Sequence, residues 1–268
     1  MPYNSAMASF PVVSLIAAMV LSQGAAPAQQ RQEPPVDKLI PKRISELKGY
    51  IKNRKMTDDF QAIGLMQSLT QAPEQQNSRD KKKVAKGLGD CFKLGKVREG
   101  GRDRIYRQAA DALAKYGADG AKELAKYIDN KRFKDNLSLR AHMLRALGKT
   151  QDDKQIDYLI EVTSRSHHSE LRAASGEALG NYTNADIKDK REIVKMIIRA
   201  WGSLESEASR PVGNDPNGSV DFGPGNAQAI LGACRGKWRT TMQKLTGVTN
   251  RDFRQWQRWE NKNKRWKN

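Results

Sequence analysis

The chain is poor in the residues that most often carry chemistry: its 268 residues include three histidines and two cysteines. No HExxH, CxxC, P-loop or GxSxG spacing occurs, so zinc hydrolysis, dithiol exchange, nucleotide cradling and serine-elbow catalysis all lack their usual residues. His142 falls inside an apolar-periodic stretch. His167-His168-Ser169-Glu170 precedes another, where Ser169 suits a helix cap and the two imidazoles suit solvent rather than a metal. No catalytic residue, metal ligand or cofactor is assigned. Val, Ile and Thr are sparse and unclustered beyond the first thirty residues, while Ala, Leu, Lys, Arg and Gln dominate. That composition argues against a β-sheet and for helix throughout.

Charge is missing altogether from residues 1–28. An apolar run from Phe10 to Leu21 leads to Ala26-Pro27-Ala28, the small-residue pattern of an export signal cleaved after Ala28. The run falls well short of the ~20 residues that cross a bilayer, so a lasting anchor fits less well. The Lys or Arg that normally precedes such a run is absent, which makes the signal atypical. The processed chain is expected in the periplasm, the cell envelope or the medium, as a monomer with no integral membrane segment. Cys91 and Cys234 could pair in such a compartment. They lie far apart in sequence, in non-adjacent units, whereas a disulfide needs Cα atoms within ~7 Å. Both sit on apolar helix faces, and two buried free thiols are expected.

Three stretches recur at a period of about 33 residues, beginning at Ile105, Leu139 and Leu171. Their aligned columns are Ile105/Leu139/Leu171, Ala109/Met143/Ser175, Ala112/Ala146/Ala178 and Leu113/Leu147/Leu179. The spacing i, i+4, i+7, i+8 puts each set on one helical face. A second apolar-periodic helix follows each: 121–128, 154–163 and 188–201. Gly117, Gly148 and Gly180 stand at the end of the first helices, where a left-handed residue would close the turn. The fold class read from this is all-α, an α-α superhelical solenoid of helical hairpins over 42–210, clearest at 104–201. Helices are also expected at 42–53, 57–71 (capped by Thr57-Asp58-Asp59) and 78–93.

Around this core lie a polar, proline-bearing leader at 29–41, expected to be flexible, and a Pro/Gly/Asn-rich loop at 211–225 that suits neither helix nor strand. Asp215, Asn217, Ser219 and Asp221 imitate the start of a calcium loop. Val220 replaces its glycine and Asn226 its bidentate glutamate, so no calcium site is assigned. Residues 226–268 supply two closing helices. In the last, Phe253, Trp256, Trp259 and Trp266 share one side and are expected to seal the final apolar face.

The Arg-Ala…Ala-Leu-Gly pattern at 140–148 and 172–180, with a weaker copy at 107–117, resembles bacterial HEAT repeats of the phycobilisome-lyase type. The ending Leu245-Thr246-Gly247…Trp256-Gln257-Arg258-Trp259 is similar to the tails of exported HEAT-repeat proteins. Ala114 departs from the pattern by replacing the repeat glycine, and Gly87-Leu88-Gly89 is only a faint echo of it. The resemblance implies an interaction scaffold with no catalytic residues. The His-Glu dipeptides on which HEAT-type di-iron hydroxylases rely are absent.

The net charge of +18 is unevenly placed: residues 235–268 carry eleven Lys or Arg and two acids. A second basic cluster runs from Lys81 to Arg107. Such regions attract acidic proteins, nucleic acid, acidic glycans or anionic lipid over a Debye length of ~8–10 Å. The expected function is a protein-binding scaffold whose partner contacts are Arg251, Arg254, Arg258, Lys262, Lys264 and Arg265. An anionic-polymer binder using the same basic end is the alternative, and a lyase-like enzyme the third reading.

Overall fold

In the computed structural model, residues 33–98, 101–211 and 223–264 are described. They belong to one unit. Eleven α-helices and no strand occur among them: α1 (Ile40–Lys52), α2 (Asp59–Leu69), α3 (Ser78–Lys93), α4 (Arg104–Leu113), α5 (Gly117–Ile128), α6 (Leu137–Lys149), α7 (Ile156–Arg165), α8 (Ser169–Leu179), α9 (Ile187–Ala208), α10 (Gly223–Thr246) and α11 (Phe253–Lys262). The helices pack in two alternating series. α2, α4, α6, α8 and α10 contact one another in succession, while α1, α3 and α5 form one run beside them and α7, α9 and α11 another.

The repeat columns explain why. Ile105, Leu139 and Leu171 are buried, as are Ala109, Met143 and Ser175. Ala112, Ala146 and Ala178 are buried beside Leu113, Leu147 and Leu179, all within one apolar cluster. Burying one such leucine contributes roughly 1.5–3 kcal/mol, so the recurring spacing alone sets which face of α4, α6 and α8 turns inward. Ser175 is polar yet fully buried, because its hydroxyl donates to the Leu171 carbonyl 2.8 Å away and meets Thr163 Oγ1 at 2.9 Å.

The repeat glycines behave differently from expectation. Gly117 does take a positive φ, +52°. Gly148 remains inside α6, and Gly180 has φ −70°. Their role is close approach, since a Cβ on Gly148 would fall 2.5 Å from the Ala178 carbonyl oxygen, and one on Gly180 would fall 2.8 Å from Thr241 Oγ1. Glycine at these positions lets α6 meet α8, and α8 meet α10, backbone to side.

Other boundaries also shift. The leader is held from Glu33 onward: Glu33 accepts hydrogen bonds from the Ser78 amide and hydroxyl, and the Asp37 amide donates to Asp80 Oδ2 at 2.8 Å. Residues 33–39 therefore lie against α3, and α1 already begins at Ile40, which is buried. The cap expected of Thr57 is not made; Asp58 precedes α2 without a side-chain cap, and Thr57 bonds Asp58 and Asn53 instead. Nor does Ser169 cap α8; it is the first helical residue, after His168. Within the 211–225 segment, Gly223, Pro224 and Gly225 form the first turn of α10, a place where proline loses no needed N–H. The calcium-like residues Asp215, Asn217, Ser219 and Asp221 lie outside the described residues, as do Trp266 and residues 1–28, where the export signal is expected.

Candidate binding surface at the basic end

α9, α10 and α11 form the C-terminal end. Three tryptophans fix it: Trp201 on α9, Trp238 on α10 and Trp256 on α11 are each buried almost completely. Trp201 and Trp238 lie 6.5 Å apart between ring centroids. Trp256 meets Trp259 edge to face at 5.7 Å, a favoured aromatic geometry. Phe253 projects over Gly202 of α9, where a Cβ would lie 2.7 Å from the ring. Asp252 caps α11 by accepting from the Gln255 amide at 2.9 Å, and Gln255 in turn accepts from the Arg251 amide at 2.8 Å. The aromatic side of α11 is thus spent on packing, with Trp256 fully enclosed and Trp259 partly buried.

The opposite side carries the cations. Arg251, Arg254, Arg258, Lys262 and Lys264 are all exposed. Arg254, Arg258 and Lys262 follow at i, i+4, i+8, a row with roughly 6 Å between steps along the axis. None of these five makes an ion pair with a described residue. On α10 the pattern is mixed: Lys237 is held by Glu177 at 2.6 Å and Arg235 meets Glu205 at 3.5 Å, while Arg239 and Lys244 are exposed. Arg265, the last of the expected contacts, lies outside the described residues.

Comparison with known proteins returned nothing. No family model, curated protein or solved structure matches the chain.

The charged residues around the cleft beside α4 and α6 are held by one another and by backbone carbonyls. A cleft of about 720 Å³ is lined by Arg98, Asp103, Arg107, Arg132, Asn136 and Ser138 among others. Arg107 forks onto both oxygens of Asp103 at 3.1 and 2.9 Å, and Asn136 donates to Asp103 at 3.2 Å. Burial alone would raise the Asp103 pKa, but these donors hold it below the usual aspartate range. Arg132 donates to the carbonyls of Leu94 and Gly95. Arg98 is wholly buried, forks onto Asp59 at 2.7 and 3.1 Å, and donates to the Ile51 and Lys96 carbonyls. Within the basic cluster of 81–107, Arg98 and Arg107 are therefore structural rather than available to a partner. Sequence offers no sign of this, because Asp59 lies 39 residues from Arg98.

His167 and His168 are exposed. His142 Nε2 stands 3.2 Å from Asp111 Oδ1. Among the described residues no three His, Cys, Asp or Glu side chains converge on a common point, and no helix is long and apolar enough to cross a membrane.

Proposed function

We propose that the chain is an exported, non-catalytic binding scaffold, a solenoid of HEAT-like helical hairpins that engages an acidic protein partner through the outward row of α11. The observation that carries this is the row itself. Arg254, Arg258 and Lys262 are stacked at i, i+4 spacing, with Glu260 projecting to another side of the helix, an arrangement that destabilises an isolated helix by a few tenths of a kcal/mol per pair. An opposing acidic surface relieves that repulsion and gains charge-assisted hydrogen bonds. The packing of the tryptophans supports a protein partner over a single-stranded nucleic acid, which would call for exposed aromatic faces on which bases stack.

The test is a capture experiment with the full chain and cell-envelope extract at low and high salt. Arg254→Glu, Arg258→Glu and Lys262→Glu combined should remove the captured acidic protein while leaving the helical circular dichroism unchanged. Capture of the same protein by this triple variant would overturn the reading. A partner lost steeply with salt and replaceable by any polyanion would shift it to the anionic-polymer alternative.

A further inference from the structure

A second, separate cation array lies on the outer side of α1, α3 and α5. On α3 the buried residues Val84, Leu88 and Cys91 define the inner face. Arg79, Lys82, Lys86 and Lys93 fall opposite, within about 60° of one another at 100° per residue. Lys82, Lys86 and Lys93 are exposed, as is Arg79. Their row runs roughly 21 Å along the helix.

Glycines on α3 let both flanking helices approach closely. Gly87 of α3 faces Ile44 of α1, where a Cβ would lie 2.9 Å from Ile44 Cγ2. Gly89 faces Glu123 of α5, where a Cβ would lie 2.6 Å from Glu123 Oε2. α1 adds exposed Lys42 and Lys52, and α5 adds exposed Lys122 and Lys126. The acids nearby are mostly occupied: Asp90 holds Lys48 at 2.7 Å, Glu123 holds Lys126 at 2.6 Å, and Glu46 accepts from the Tyr50 hydroxyl at 2.7 Å. Lys82, Lys86 and Lys93 make no ion pair with a described residue. With neighbouring axes about 8–10 Å apart, the three helices present cations over a patch of roughly 20 by 20 Å.

Two features distinguish this patch from the α11 row. It is two-dimensional, so a linear polymer would engage one row whereas a planar anionic surface would engage all three. Exposed apolar side chains also stand beside its Lys42, just ahead of α1. Val36 and Leu39, 48% and 53% exposed, are two of the three exposed large hydrophobics among the described residues. Both precede α1, six and three residues ahead of its exposed Lys42, and Asp37 between them donates its amide to Asp80 of α3. A basic array combined with nearby exposed aliphatic residues is one arrangement by which proteins lie on anionic bilayers.

We propose that the outer face of α1, α3 and α5 is a peripheral membrane-docking surface for anionic lipid head groups, with Val36 and Leu39 entering the interface. This is independent of the α11 contact. The test is co-sedimentation of the full chain with vesicles of phosphatidylcholine alone or mixed with phosphatidylglycerol, at low and high salt. Wild type should partition onto the anionic vesicles only and be released by salt. Lys82→Gln, Lys86→Gln and Lys93→Gln combined should lower partitioning on the order of 100-fold. Leu39→Ser should lower it several-fold, and the α11 triple reversal should leave it unchanged. Unaltered melting of each variant excludes unfolding as the cause. Equal binding to neutral vesicles, or a lysine-to-glutamine variant that sediments like wild type, would overturn the proposal. So would tighter binding of a DNA oligonucleotide than of anionic vesicles, lost in the same variant, which would assign the face to a linear polymer.

Discussion

Gly176 of α8 lies directly beneath the indole of Trp238 on α10: a Cβ at Gly176 would come within 2.2 Å of Trp238 Nε1. The same contact is tied by polar bonds, from Trp238 Nε1 to the Arg172 carbonyl at 3.4 Å and from Thr241 Oγ1 to the Gly176 carbonyl at 2.7 Å. The seam between α8 and α10 therefore depends on a missing side chain on one helix and a large one on the other.

Gly176→Ala should destabilise the protein by about 1–3 kcal/mol, because the buried indole has no room to withdraw. Gly236→Ala is the matched control. It lies exposed within α10 with nothing within 4 Å of its Cβ position, and should stabilise by about 0.4–1 kcal/mol through the unfolded chain. Urea denaturation of the two variants measures both signs.

The buried Arg98–Asp59 fork gives a second expectation. Burial pulls the Arg98 pKa down, but the hydrogen bonds it donates to Asp59, together with the neighbouring Tyr106, hold it above its usual value, so the guanidinium stays charged in the interior. Arg98→Ala leaves Asp59 and two backbone carbonyls without their donor, and should cost about 3 kcal/mol. Adding Asp59→Asn to that variant should cost little more, because the partner charge is already stranded. The coupling energy from the double-mutant cycle checks this.

The two thiols give a third. Cys91 on α3 and Cys234 on α10 are buried and unpaired. Burial pushes the Cys234 thiol up to about 12 and the Cys91 thiol higher still. Neither forms the reactive thiolate near neutral pH. Ellman's reagent should therefore detect almost no thiol in the native protein and both once it is unfolded. Prompt native-state labelling of Cys234 would mean that α8 and α10 open readily.

The helices and their inward faces could be read from sequence because one-dimensional period determines them: Leu113, Leu147 and Leu179 recur, and each is buried. Contacts between helices were not legible in the same way. Gly148 reads as a turn former, since nothing in the sequence says that Ala178 lies across from it. α9 runs on to Ala208, past its expected end at Trp201, because Leu204 packs inward and Glu205 accepts from the Trp201 indole at 3.0 Å. At the basic end, the division of α11 into a tryptophan side and an arginine side follows from 100° steps along the chain. In contrast, the array on α1, α3 and α5 combines residues up to 84 positions apart, and only the packing at Gly87 and Gly89 brings them together.

Glu177 of α8 ties three helices together. Its Oε2 accepts from Arg145 Nε of α6 at 2.8 Å and from Lys237 Nζ of α10 at 2.6 Å. Partial burial would raise its pKa, but Lys237 and Arg145 outweigh this and hold it below the usual glutamate range. A carboxylate with a depressed pKa in the folded state stabilises fully above its unfolded value, about 4.3, and that contribution fades as pH falls through the lower folded value. Glu177→Gln should thus be less stable than wild type at neutral pH, by a modest amount given its exposure. The gap should close as pH drops below about 4. Melting temperatures of the two proteins across the acid range decide it: a gap that persists unchanged at low pH would mean that Glu177 acts through packing or neutral hydrogen bonding rather than through its charge.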